Sequence, residues 1–164
     1  MELDNAIYKS RQRTNAIGLT LSMGAMVLGL VVLLRLTLLL LKRLLPRLLG
    51  GAKPQLILTG STSALPQSGR PEVTFGASKF ALKGIAETLR EGFRDQRLAV
   101  TCLQLGYLNT QDDLQTPVEQ AAQNGEGQLI PLHDVVALVR TLLSLSDASY
   151  VRELVLPAIA DERF

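Results

Sequence analysis

Twenty-one consecutive residues, "TNAIGLTLSMGAMVLGLVVLL" from Thr14 to Leu34, carry no charge. Such a stretch has two physical outcomes. About 20 apolar residues wound as a helix are long enough to cross a bilayer; alternatively, a folded α/β domain buries the same run as a long helix. Lys9, Arg11 and Arg13 precede it and Lys42, Arg43 and Arg47 follow, so basic residues at both ends give no orientation across a membrane. No small-x-small cleavage site closes the run, which disfavours a secretory leader. Gly18, Ser22, Ala25 and Gly29 would permit close helix packing in either setting. Arg35 interrupts the run, and Pro46 sits near its end. The expectation is a cytoplasmic chain, with membrane association through residues 14–34 as the alternative.

The remainder of the chain alternates. "GGAKP" breaks the helical pattern, and "QLILTG" reads as a short buried strand over Gln55 to Thr59. After a Ser-, Thr-, Gly- and Pro-rich loop, residues 74–96 read as a helix. There Ala81, Ile85, Leu89 and Phe93 form one buried stripe, with Lys83, Glu87 and Arg90 off it. "LAVTCLQL" is nearly unbroken in apolar character, as expected of a parallel strand covered on both faces. Residues 106–131 are polar and turn-rich, read as loop and short helix. "LHDVVALVRTLLSLS" is helical by its spacing and "VRELVLP" closes as a strand. Helix–strand repeated in this order is the pattern of a parallel sheet with crossover helices.

Several function classes are excluded or disfavoured. A formal charge of +2 is too small to argue for a nucleic-acid partner. One cysteine, Cys102, rules out an internal disulfide and reads as core packing. One histidine, His133, beside Asp134 near a helix start, does not make a metal site; none is expected.

Four segments, in order, resemble the C-terminal half of a short-chain dehydrogenase/reductase. "LILTGS" looks like the strand that delivers a catalytic serine, placing Ser61 in that role. "FGASKFALKG" looks like the Tyr-x-x-x-Lys helix, with Lys79 kept and Phe75 where the tyrosine would stand. "LQLGYLNT" resembles the Pro-Gly-x-x-x-Thr turn, with Leu105 for proline and Gly106 and Thr110 retained. "IPLHDVVALVRTLLSLSDASYVRELVLP" resembles the closing helix and last strand. The resemblance runs over residues 25–158, with 1–24 as an extension and 159–164 as a tail. It implies an α/β fold: a partial Rossmann-like parallel sheet with crossover helices, lacking the N-terminal nucleotide-binding strands.

By resemblance, a hydride passes between NAD or NADP and a carbonyl or hydroxyl carbon. Ser61 would steady the carbonyl oxygen, Lys79 would lower the pKa of the proton donor and hold the nicotinamide ribose, and Gly106 and Thr110 would also contact the cofactor. The physics of the pair agrees. A phenol near pKa 10 needs a neighbouring cation to act at neutral pH, and positions 75 and 79 lie one helical turn apart. Phe75 keeps the ring and loses the acid. No strand–GxxxGxG–helix precedes the long helix, so the resemblance implies weak or absent catalysis and doubtful cofactor binding. The alternatives are a non-catalytic dimerisation or regulatory module, or a membrane-anchored remnant. The resemblance further implies a homodimer, or a heterodimer with a full-length relative, through the long N-terminal helix and the 74–96 helix.

Overall fold

A computed structural model describes residues 28–66, apart from 30 and 33, and residues 73–162. The 14–34 stretch lies mostly outside them, and the 1–24 extension entirely so. Among the described residues no helix is long and apolar enough to cross a membrane. The described residues up to Lys42 belong to one unit and those from Arg43 onward to a second. Residues 28–49 are helical at their described positions (α1).

All the described strands belong to the second unit. In chain order they and their helices are β1 (Gln55–Thr59), α2 (Val73–Gly92), β2 (Ala99–Leu105), β3 (Leu108–Asn109), α3 (Val118–Asn124), β4 (Ile130–Pro131), α4 (Leu132–Ser144) and β5 (Glu153–Leu156). The main sheet is parallel, in the order β1-β2-β5. Its register is staggered. β1 pairs with the first five residues of β2, from Gln55 opposite Ala99 to Thr59 opposite Leu103. β5 pairs with the last four, from Cys102 opposite Glu153 to Leu105 opposite Leu156. Parallel strands need a crossover between them, and α2 and α4 supply the two connections.

The alternation of side chains along a strand divides β2 between two faces. Leu103 and Leu105 pack with Leu142 of α4, joined by Ile57, Val135, Val139, Leu154 and Leu156. Gln104 faces the other way, meeting Glu153 and, through it, Lys83 of α2. β2 therefore needs apolar or fully bonded side chains on both faces, and every residue from Val100 to Leu105 is buried.

The outer strands differ from expectation. β1, read as buried, is only half-buried and exposed at Thr59, because it is an edge of the sheet among the described strands. The helix expected over 74–96 stops at Gly92 and gives way to a tight turn at Arg94–Gln96. Arg90, expected off the buried stripe, has a side chain only 10% exposed. Its Nε donates to Val100 O at 2.9 Å and its Nη2 to Arg152 O at 2.7 Å. Between β2 and α4, a two-residue parallel pairing of β3 with β4 holds the turn-rich segment together. Pairs that short leave no periodicity to read in sequence.

Candidate functional site

The ends of β1 and β2 bring together the residues singled out by sequence. Beyond Thr59 the chain stays on β2 for one more bond, Gly60 N–H to Leu103 O at 2.7 Å, and then turns at Ser61. Ser61 caps the short turn Thr62–Ala64. Its backbone is extended, and its Oγ accepts from Ser63 N–H at 3.2 Å. A hydroxyl oxygen that accepts one bond retains its own O–H to donate. Ser61, Thr62 and Ser63 are all buried, so this run of hydroxyls is part of the turn's packing.

Helix α2 starts at Val73 and sends Lys79 back to the same strand end. Lys79 Nζ donates to Thr59 O at 3.1 Å and lies 5.4 Å from the centroid of the Phe75 ring. One turn of helix separates the two residues, which is why the side chains meet. Partial burial pulls the Lys79 ammonium below the ordinary lysine value. The ring offers that ammonium its negative face and nothing to deprotonate. Phe75 itself is 46% exposed.

Behind Ser61 lies a polar chain that sequence reasoning missed. Gln104, fully buried near the C-terminal end of β2, accepts from Ser61 N–H at Oε1 (2.9 Å) and donates from Nε2 to Glu153 Oε1 (2.8 Å). Lys83 Nζ of α2 reaches the same carboxylate oxygen at 2.9 Å. Burial opposes ionisation of Glu153, but bonds from Lys83 and Gln104 and the charges of Lys83 and Arg90 outweigh it, holding its carboxyl below the usual range. The signal was present in "LAVTCLQL": an amide inside an otherwise apolar strand must find partners. Asn109 was missed for the same reason. It is buried, its Nδ2 donates to Asp112 at 2.7 Å, and its Oδ1 accepts from Gln111 N–H at 3.1 Å, ordering the chain after β3.

Gly106 and Thr110 follow β2 at the same end of the sheet. A Cβ at Gly106 would lie 3.2 Å from both Ala158 N and Pro157 Cα, so this glycine permits close passage of the 157–158 segment. Thr110 is exposed just past β3. This end of the sheet thus carries a cation, Lys79, and an exposed hydroxyl, Thr110. His133 is the second residue of α4, and no cluster of metal-ligating side chains occurs among the described residues.

No protein-family model matches the sequence, and no curated protein does. Solved structures do match, at the level of fold. An alcohol dehydrogenase from the archaeon Thermococcus sibiricus, complexed with 5-hydroxy-NADP, is 20% identical with a TM-score of 0.56, over 74% of this chain and 48% of that one. A 4-hydroxyisoleucine dehydrogenase complexed with NADH is 19% identical with a TM-score of 0.53, over 76% and 53%. An NADPH-bound short chain oxidoreductase from Pseudomonas aeruginosa PAO1 containing an atypical catalytic center is 14% identical with a TM-score of 0.54, over 76% and 52%. The chain thus shares the Rossmann-like α/β fold of short-chain dehydrogenases and reductases, and it spans about half the length of these structures.

Proposed function

We propose that this chain is a short-chain oxidoreductase-like module, related to NAD(P)-dependent enzymes of carbonyl or hydroxyl substrates, whose own catalysis is weak or lost. The observation that carries the reading is the meeting of Lys79 with a phenyl ring, where proton transfer needs a hydroxyl. A nicotinamide dinucleotide, when bound, would supply the hydride. Of the chain's own groups, Ser61 would donate its O–H to a carbonyl oxygen and Lys79 would add positive charge beside it. The proton that must reach the alkoxide has no donor at position 75. A positioned general acid typically contributes about 10²–10⁴-fold, so that much rate is missing.

The test is a fluorescence titration of the purified chain with NADPH and NADH, repeated with Phe75→Tyr. Saturable binding by both proteins, with turnover of a generic carbonyl substrate only in the tyrosine variant, is the expected result. Absence of binding in both would refute the cofactor part of the reading.

A second reading, association with another copy of the chain, has its own support in exposed apolar side chains. Leu36, Leu39 and Leu40 on α1 and Val73 and Phe80 on α2 are each 47–76% exposed. Leu36, Leu39 and Leu40, at i, i+3 and i+4, share one helix face, and a contiguous exposed apolar patch marks an interaction surface where single exposed aliphatics do not. Sedimentation velocity over a hundredfold range of concentration tests it: a monomer throughout would end this reading, and a dimer dissociated by Leu40→Glu would support it.

A further inference from the structure

A cleft among the described residues lies at the opposite end of the sheet from Ser61 and Lys79. It encloses about 580 Å³ where the chain enters β1, leaves α2 and approaches β5. That volume is in the range of small-molecule sites. Five cations line it, Lys53, Arg90, Arg94, Arg97 and Arg152, against three carboxylates, Glu87, Glu91 and Asp147.

The cations are not equally committed. Arg90 and Arg152 share the carboxylate of Glu87, each at 2.7 Å. Lys53 lies 3.8 Å from Asp147 and also donates to Leu145 O. Arg94 pairs with Glu91 one helical turn away, but both side chains are more than 70% exposed, and an exposed pair of this kind holds weakly. Arg97 is different: its Nη2 donates to the backbone carbonyl of Asp147 at 3.1 Å, and no carboxylate pairs with it among the described residues.

The backbone at Arg97 decides how the site can be probed. Its φ of 57° and ψ of 32° place it in the left-handed region, which favours glycine because a Cβ is strained there. Glycine therefore suits the turn, and the guanidinium can be removed without disturbing the backbone.

We propose that this cleft binds a small phosphorylated molecule, with Arg97 as its principal anchor and Arg94, whose exposed pair with Glu91 holds weakly, as the supporting contact. A planar carboxylate is satisfied by one guanidinium fork. Two guanidinium groups from the turn after α2, Arg94 and Arg97, lining one cleft, suit a group with three terminal oxygens.

Isothermal titration calorimetry with inorganic pyrophosphate at about 150 mM salt tests the site, using the wild-type chain, Arg97→Gly and Arg140→Gln. Glycine relieves the left-handed backbone, so Arg97→Gly should keep its circular dichroism and melting temperature. Arg140, exposed on α4 outside the cleft, is the control for diffuse charge. The expected result is saturable one-site binding, weakened roughly tenfold or more in Arg97→Gly and unchanged in Arg140→Gln. Lack of saturable binding, equal binding by Arg97→Gly, or equal weakening in Arg140→Gln would each overturn the site. Succinate binding as tightly as pyrophosphate would overturn the phosphoryl assignment.

Discussion

Gly60→Ala should be among the most damaging single-methyl changes in the chain. A Cβ built at position 60 falls 2.2 Å from Gln104 Oε1, 2.9 Å from its Cδ and 3.0 Å from Leu103 O. The amide cannot stay where it is, and it is fully buried with bonds at both ends, to Ser61 N–H and to Glu153. Displacing it leaves the Ser61 N–H unsatisfied in a buried turn, a loss of about 1–3 kcal/mol, and an off-rotamer glutamine adds about 0.5–1.5 kcal/mol. The sum is about 1.5–4.5 kcal/mol, or a fall in melting temperature of roughly 3–18 °C for a chain of this size. Urea unfolding followed by circular dichroism measures it, since the chain has no tryptophan. Gln104→Ala alone should also destabilise, by stranding the same N–H. The double variant should be less unstable than the sum of the singles, because truncating the glutamine removes most of the clash; a coupling of about 1 kcal/mol or more is expected. A Gly60→Ala cost below about 0.5 kcal/mol, or an additive cycle, would refute the reasoning.

Arg90→Met should destabilise by about 2–4 kcal/mol, since it removes charge-assisted bonds to two backbone carbonyls, Val100 O in β2 and Arg152 O just before β5; Arg90→Lys should recover only part, and urea midpoints report both. The depressed carboxyl of Glu153 contributes stability that is full above the ordinary value of 4.5 and is lost as pH falls through the lower folded-state value. Glu153→Gln should therefore show a shallower loss of stability than wild type between about pH 5 and pH 3, read from melting temperatures; parallel curves would count against it. Lys79 is shifted in the other sense, its ammonium disfavoured by burial. Its contribution is present above the ordinary lysine value and lost as pH falls through the folded one, so Lys79→Met should flatten the alkaline rise in stability.

Sequence alone determined the local elements. An unbroken apolar run admits few environments, and "LAVTCLQL" became the central strand with every residue from Val100 onward buried. The four-residue stripe marked α2, and the i, i+4 spacing by itself sets positions 75 and 79 one helical turn apart, where Lys79 meets the Phe75 ring. These are properties of neighbouring residues, set by helical and strand periods. Tertiary structure decided the rest. Ser61 and Gln104 are 43 positions apart, Arg90 and Arg152 are 62 apart, and Arg97 and Asp147 are 50 apart. Only the staggered register of β1, β2 and β5 makes them partners, and no local pattern encodes which distant carbonyl a guanidinium will find. The same holds for the half-buried state of β1: its residues are as apolar as a core strand requires, and its place at the edge follows from which strands pair with it.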